Sequence, residues 1–529
     1  IALESVAACT IFAVGKDAST DGSTMISHTC DSNGDDLRLW LIPEQAAGTE
    51  RDVVVNGRKG QDYGNYPDLA YENGMIVGSY TFEKDTNKYI HAMYSFMNDK
   101  GLAMGESTCS INRNSEQGAK IRAAFSAIDG IYDCYMLQDL ALETCSTTLE
   151  AVKFMGKMVS EYGWYGSCEC INITDGTDTW IFEAYGGNQW AAIRVPDDAV
   201  FVAANRARIN VYYDDCDTYL SSPTLKSFAL ENGLWDGVSE FQPCCVYAWN
   251  NFNNMGCTLR EWRAITLLNP ELYGDLDPFG DCNEYPLFVV PSEKISVARI
   301  HELCSDYYAG TQFDLSRTVQ AGEFGNILYN NHNTLKQDTQ EGIARPINMF
   351  RATYVQIANV KAYLPEEARC LVWVGFGAPS TIYLTPLFAS SSSLPEQVSV
   401  GVRSEYDPDS AWWVQTEVQN LTTINYESAI KDLQAVRDPK MATIYEQTAV
   451  AQEVAASLID LGMKDEAIEY LTNYQNTIAN NWHQTYKDLA NTLKQKYANG
   501  LVSFKVPSRP EWWNNIVLEN MKDNLRPLN

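Results

Sequence analysis

The chain has 529 residues, of which 45% are hydrophobic and 20% charged, as is usual for a folded protein with a large core. Its formal net charge of −29 at pH 7 would repel a phosphate backbone, which argues against nucleic-acid binding. No run approaches about 18 uninterrupted apolar residues, so the sequence predicts no transmembrane helix.

The first half of the chain alternates short strand signals with one helical region. Residues 9–110 predict strands, with apolar runs in CTIFAVG, STMISHTC, DVVVNG and GLAMGEST. Residues 130–162 carry an apolar stripe with helical spacing, which Gly163 closes. Strands then resume in CINITDG, TWIFEAYGG, WAAIRVPDD and AVFVAANRARI. The pattern therefore predicts a first half that is rich in β-strands.

The second half ends in helices. Residues 209–290 are rich in Asp, Asn, Pro and Cys and predict irregular structure, before strands return in TYVQIANV, CLVWVGFG and TIYLTPLF. Residues 411–461 predict helix, and from Asp465 the apolar positions step by threes and fours up to Gly500, which predicts one long amphipathic helix. The last segment carries Trp512 and Trp513, which we expect to pack back on the body.

The fourteen cysteines favour an oxidising compartment. They include no ligand pairs with the spacing of a zinc or iron–sulfur site, so several disulfides are the better interpretation. One cluster predicts a stapled insertion and consists of Cys216, Cys244, Cys245, Cys257, Cys282 and Cys304. We expect a secreted or lumenal protein, of lysosomal or vacuolar type, whose signal peptide was removed upstream of the sequence, because IALESVAA is too short and polar to be one.

Two sequons predict glycosylation with different strength. Asn172 begins Asn-Ile-Thr inside a strand-like run, where burial would leave it unused, and Asn420 begins Asn-Leu-Thr in a better position.

The chemistry of the sequence centres on Cys9. There are five histidines but no HExxH, no P-loop and no GxSxG motif. An N-terminal cysteine supplies a nucleophilic thiol, and its own α-amine, with a pKa of about 8, can act as the base. Cutting between Ala8 and Cys9 in AACTIF would create such a residue. A core thiol in a strand, or one half of a disulfide, remains the alternative at this point.

The sequence CTIFAVGKDASTDGSTMISHTCDS resembles the start of the C69 dipeptidases, N-terminal nucleophile cysteine hydrolases whose mature chains begin with the nucleophile and carry a catalytic Asp-Ser. MNDKGLAMGEST, RPINMFRATYVQI and DSAWWVQTEVQNLTTINY resemble later parts of the family. The resemblance implies an α+β fold, a four-layer αββα sandwich with a helical C-terminal region. It divides the chain into a propeptide-like segment 1–8, a hydrolase domain 9–400 with a Cys-rich insertion at about 209–290, and a helical region 401–529.

The resemblance also implies roles for individual residues. Cys9 would be the nucleophile, Asp31 would orient its amine, and Asn205 would lie near the oxyanion. The residues that would line the substrate pocket are His28, Glu106, Ser107, Thr108 and Arg351. Arg351 would pair with a substrate carboxylate. Where the family commonly has an arginine shortly before the catalytic Asp, this sequence has His28 and Cys30.

The implied reaction is hydrolysis of dipeptide amide bonds without a metal or other cofactor, with small peptides as substrates. Two alternatives stay open: an amidase or acylase of the same fold, and an unprocessed, non-catalytic structural or assembly protein. A homo-oligomer also stays open, because members of the family often assemble.

Overall fold

A computed structural model describes residues 9–31, 36–55, 75–109, 115–126, 128, 130–214, 216–248, 255–281, 283–329 and 344–523. The strands are β1 (Thr10–Val14), β2 (Thr24–Cys30), β3 (Trp40–Ile42), β4 (Glu50–Val55), β5 (Met75–Thr81), β6 (Tyr89–His91), β7 (Met97–Asn98), β8 (Ala103–Thr108), β9 (Glu169–Thr174), β10 (Thr179–Gly186), β11 (Gln189–Arg194), β12 (Val200–Ala203), β13 (Tyr219–Ser221), β14 (Tyr354–Val360), β15 (Leu371–Gly375) and β16 (Thr385–Phe388). The α-helices are α1 (Glu116–Phe125), α2 (Cys134–Thr144), α3 (Thr148–Tyr162), α4 (Leu225–Glu231), α5 (Met255–Leu268), α6 (Pro270–Tyr273), α7 (Val297–Cys304), α8 (Glu366–Arg369), α9 (Glu396–Ser399), α10 (Ala411–Thr422), α11 (Tyr426–Asp460), α12 (Lys464–Lys496) and α13 (Glu511–Asp523).

A six-stranded antiparallel sheet contains the N-terminal strand at an inner position. Its order is β12-β1-β2-β14-β15-β16, so β1 has a partner on both sides. All five residues of β1 are buried, and alternate side chains enter two different cores, with Ile11 on one face and Phe12 on the other. Burial on both faces explains why the run is continuously apolar instead of alternating with polar residues.

An eight-stranded antiparallel sheet packs against the first one. Its order is β13-β11-β10-β9-β8-β7-β6-β3, while β4 and β5 form a separate hairpin. Side-chain amides join the two large sheets: Asn172 Nδ2 on β9 donates to the carbonyl oxygens of Phe12, at 2.8 Å, and Ser27, at 3.0 Å. Gln356 Nε2 on β14 donates to the carbonyl of Met104 at 2.6 Å. These buried bonds fix how the strands that carry the candidate site face each other.

Helices pack on both large sheets. α2 and α3 contact the eight-stranded sheet, while α5, α7 and α12 contact the six-stranded one. α3 begins with a reciprocal capping box between Thr147 and Glu150 and ends at Gly163, where φ is +78°. The structure is thus α+β, with antiparallel sheets and a helical C-terminal region, as predicted. α5 is an exception, because it lies in the segment predicted to be irregular.

The cysteines do not staple the fold in the way predicted. No disulfide joins any two of the thirteen cysteines in the described residues, and Cys282 lies outside them. Eleven of these thirteen thiols are buried as small core side chains. The nearest sequence neighbours, Cys244 and Cys245, have their sulfur atoms 3.8 Å apart, too far for a bond. The prediction of several disulfides is therefore not supported by this structure.

Other predictions have mixed outcomes. Asn172 is fully buried, as expected for an unused sequon, whereas Asn420 is exposed on α10. The terminal segment contacts the body through Arg509 and Glu323, at 3.2 Å, but Trp512 remains 41% exposed. None of the helices in the described chain combines the length and the apolar character that crossing a membrane requires. Residues 1–8 lie outside the described residues, and the predicted domain bounds stay a prediction.

Candidate active site

Cys9 lies immediately before β1, and its thiol is buried between the two large sheets. Its Sγ donates to Glu106 Oε1 on β8 at 3.2 Å. His28 Nε2 on β2 is 3.3 Å from the same carboxylate oxygen. The antiparallel register of β1 and β2 accounts for this meeting, since His28 pairs with Ile11 and side chains two residues apart share a face. The adjacent strands β1, which Cys9 directly precedes, and β2 thus place a thiol and an imidazole beside the same carboxylate.

The charges of this cluster follow from burial and contact. Burial, together with Cys30 and the charge of Glu106, raises the pKa of the Cys9 thiol well above its usual value. Burial lowers the pKa of His28, but the neighbouring Cys9 and Glu106 outweigh it and raise that pKa to about 10. Burial raises the pKa of Glu106, yet His28 holds it below its ordinary value. His28 and Glu106 therefore stabilise each other's charged forms beside the buried Cys9 thiol.

A second buried carboxyl group, that of Glu169, lies close to Glu106. Ligand atoms of Glu106, Cys134 and Glu169 all lie within 4.8 Å of one another. Burial and the charge of Glu106 raise the pKa of Glu169 well above its ordinary value, so this second carboxyl holds a proton. Glu106 and Glu169 together therefore carry one negative charge close to the Cys9 thiol, because two negative charges at this distance would repel each other.

Gly105 makes room for the imidazole. A Cβ built on Gly105 would lie 3.0 Å from the Cβ of His28 and 2.6 Å from Asn172 Oδ1. Both distances are shorter than normal contacts between these atoms. The absence of a side chain at this point of β8 lets β2 approach closely enough for His28 to reach Glu106.

The backbone carbonyl of Cys9 is held by a separate set of donors. Ser107 Oγ donates to it at 3.2 Å, and Arg260 Nη1 on α5 donates to it at 2.9 Å. Asn205 connects these two residues, because its backbone N–H donates to Ser107 Oγ at 2.8 Å and its Oδ1 accepts from Arg260 Nη2 at 2.7 Å. Asn205 adopts a φ of +58°, an uncommon left-handed conformation that this network stabilises.

Asp31 follows β2 and lies among arginines. Its Oδ2 is 3.3 Å from Arg345 Nη2, and Arg351 Nη1 donates to its backbone carbonyl. Burial raises the pKa of Asp31 to about 6, although Arg345 and Arg260 act against this. Its Oδ1 is buried and has no hydrogen-bond partner among the described residues. A carboxylate oxygen is therefore available near the start of β1 for a further donor.

The structure brings the predicted residues together in two groups, and the residues within each group contact one another. The first is an unbroken set of contacts among Cys9, His28, Glu106, Ser107, Thr108 and Asn205. Thr108 joins it through Oγ1, which donates to Glu106 Oε2 at 3.3 Å. In the second group, Arg351 contacts the backbone of Asp31.

Sequence reasoning missed four residues of this site: Cys134, Glu169, Arg260 and Arg345. Arg260 is fully buried in α5. Its signal was the helical spacing of apolar residues in TLREWRAITLL, which the surrounding Asn and Cys content concealed. Arg260 and Arg345 supply guanidinium groups from distant segments, although SHTC before Asp31 contains no arginine.

Comparison with known proteins identifies the family. The model of peptidase family C69 matches residues 8–438. The chain belongs to this peptidase family. A probable dipeptidase of Salmonella dublin is 27% identical over 389 residues, which cover 72% of this chain and 80% of the relative. A probable dipeptidase of Latilactobacillus sakei is 24% identical over 514 residues, 92% and 94% of the two chains. Dipeptidase A of Lactobacillus helveticus is 22% identical over 498 residues, 89% and 94%.

Proposed function

We propose that this C69 member is a cysteine dipeptidase whose nucleophile is Cys9, active after residues 1–8 are removed. The observation that carries the proposal is that Cys9 is held by hydrogen bonds at two points, its thiol and its backbone carbonyl. Its thiol contacts Glu106 beside His28, and its carbonyl is held by Ser107 and Arg260. The family match also begins at residue 8, directly before this cysteine. The names of the curated relatives support dipeptides as substrates.

In the proposed reaction, the freed α-amine of Cys9 takes the thiol proton, and Sγ attacks the peptide carbonyl. The amine returns the proton to the leaving amine, which departs and leaves a thioester on Cys9. A water molecule, deprotonated by the same amine, then hydrolyses the thioester. Asn205 would donate to the oxyanion, a role that its connection to Cys9 through Ser107 supports.

Asp31 would position the amine that performs these proton transfers. Its Oδ1, which has no hydrogen-bond partner in the part of the chain that the structure describes, can accept a hydrogen bond from an ammonium group, while Arg345 engages Oδ2. His28 and Glu106 would act on the thiol side, where the imidazolium lowers the cost of forming a buried thiolate. Arg351 would bind a substrate carboxylate through its guanidinium group.

The remaining finer predictions belong to the same proposal. The stacking of two antiparallel sheets between helices supports the four-layer αββα sandwich. Localisation in a secreted or lumenal compartment is retained as a proposal.

The test compares the full-length chain with Cys9→Ala and Cys9→Ser on a panel of dipeptides, after intact-mass analysis has established whether residues 1–8 are removed. We expect a loss of at least about 10³-fold in kcat/KM for Cys9→Ala. Cys370→Ala is the matched control, because this thiol is also fully buried but lies directly before β15 and donates to the carbonyl of Glu366. Full activity of Cys9→Ala would contradict the proposal.

The same panel separates the alternatives. Acylated amines that are hydrolysed faster than dipeptides would indicate an amidase or acylase. A chain that keeps an intact Ala8–Cys9 bond, and that hydrolyses nothing even when this bond is cut by a site-specific protease, would indicate a structural protein.

A further inference from the structure

Three different metal-ligating atom types converge at the candidate site. The ligand atoms of Cys9, His28 and Glu106 lie within 4.8 Å of one another, and all three side chains are buried. The distances from Glu106 Oε1 are 3.2 Å to Cys9 Sγ and 3.3 Å to His28 Nε2. Thiolate, imidazole and carboxylate are the three ligand types that proteins use for Zn²⁺.

These separations suit a tetrahedral ion. Zinc bonds are about 2.3 Å to sulfur and about 2.0–2.1 Å to nitrogen or oxygen, so tetrahedral angles place neighbouring ligand atoms about 3.3–3.6 Å apart. The two pairs that share Glu106 Oε1 need to open by at most a few tenths of an ångström, and the ligand atoms of Cys9 and His28 lie within 4.8 Å of each other. Three protein ligands leave a fourth position for water or for the freed α-amine of Cys9, which is the arrangement of an open zinc site.

A second observation points to a ligand. Neither ring nitrogen of His28 has a hydrogen-bond partner of good geometry in the described part of the chain, although the side chain is fully buried. Tyr94 and Tyr354 meet the imidazole edge-on, with ring centroids 5.3 and 5.5 Å away, and hold its plane. A buried imidazole oriented by its neighbours and lacking a good acceptor or donor is prepared for a further partner.

The exchange of protons for the metal balances charge. In the bound state the Cys9 thiolate and the Glu106 carboxylate carry one negative charge each, His28 is a neutral imidazole, and the protons that these ligands give up leave to solvent. The complex of thiolate, carboxylate, neutral imidazole and Zn²⁺ is then neutral, which avoids an uncompensated buried charge.

We propose that Cys9, His28 and Glu106 bind Zn²⁺ and that this binding reversibly inhibits the enzyme. Binding rests on the geometry alone, whereas inhibition also rests on the proposed function, because the metal occupies the sulfur electron pair that the attack on substrate requires. Glu106, Cys134 and Glu169 form the competing set. It offers two carboxylates and no imidazole, so the set with His28 is favoured.

The test uses Co²⁺ as a visible substitute for Zn²⁺ on the full-length protein. We expect one equivalent to bind with tetrahedral visible bands and a near-ultraviolet thiolate-to-cobalt band. Both signals should disappear in Cys9→Ser and in His28→Gln, and both should persist in Cys134→Ser, the matched thiol control. Circular dichroism of each variant establishes that it is folded. In parallel, Zn²⁺ should abolish dipeptide hydrolysis by the parent protein, and a chelator should restore it.

The outcomes separate this proposal from the proposed function. A Cys9-dependent cobalt band without any peptide hydrolysis supports the metal site and removes the dipeptidase assignment. Hydrolysis that is insensitive to Zn²⁺, in a protein without the cobalt band, overturns the metal site and leaves the dipeptidase assignment intact. Binding that survives in Cys9→Ser, or that is lost only in Cys134→Ser, also overturns it.

Discussion

Gly105→Ala should disturb the contact between the two sheets at the candidate site. The added Cβ would lie 2.6 Å from Asn172 Oδ1, 3.0 Å from the Cβ of His28 and 3.4 Å from Gln356 Nε2. Asn172 and Gln356 are both held by hydrogen bonds between the sheets, so neither can yield without losing one. We therefore expect β2 and β8 to separate slightly, which moves His28 away from Glu106.

The magnitude follows from two opposing effects. Overpacking a well-filled core costs about 1–3 kcal/mol, while replacing glycine by alanine in a strand recovers about 0.5–1 kcal/mol of backbone entropy. The net loss in the free energy of unfolding should be about 0.5–2 kcal/mol. Gly78→Ala on β5 is the matched control, because among the described residues its Cβ would meet only Ile131 Cδ1, at 3.9 Å. This control should be neutral or slightly stabilised.

Urea unfolding of the three proteins measures the stability difference, and kcat/KM on one dipeptide measures the effect on the site. We expect a fall in kcat/KM of about 10-fold or more for Gly105→Ala, because small displacements of positioned groups are costly in catalysis. If Gly105→Ala has the stability and activity of Gly78→Ala, the argument from close approach is wrong.

Two further predictions concern buried charges. Burial raises the pKa of Glu183 to about 7 from an ordinary 4.5, so its contribution to stability is present at low pH and is lost as the pH rises through 7. Glu183→Gln should flatten the decline in the free energy of unfolding between pH 4.5 and about 7, measured by urea unfolding, and an unchanged slope would count against this origin. Arg260→Lys keeps the charge but cannot span Cys9 O and Asn205 Oδ1 together, so we expect a 10- to 100-fold lower kcat/KM, about the effect of one charged hydrogen bond. A lysine variant with parental kinetics would show that the two-pronged contact is dispensable.

Much of the secondary structure could be predicted because local patterns determine it. β1 and β2 appear in the sequence as short apolar runs, and α12 as a long periodic stripe. α3 has a capping box at its start and glycine at its end, both of which are visible without a structure.

The assembly of the site was predictable only through the family resemblance. No pattern in the neighbouring sequence links Cys9 to Glu106. Cys9 directly precedes β1 in one sheet, Glu106 lies on β8 in the other, and the two residues meet only because the sheets pack together. Arg260 escaped notice because α5 lies in a segment whose composition is typical of loops. The prediction of several disulfides is not supported for a related reason. The number of cysteines suggests crosslinks, but a cysteine can equally well be a small apolar side chain buried in the core.

The arrangement of β1 also has a consequence for biosynthesis. Cys9 is synthesised before the residues that contact it, which are Glu106, Ser107 and Arg260, and Asp31 is synthesised before Arg345. A nascent chain therefore carries Cys9, the proposed nucleophile, before it has the groups that we propose activate it. Contacts of such long sequence separation form late and slowly. The protein would thus become reactive only after its sheets have closed, which protects the chain from its own thiol while it is still incomplete.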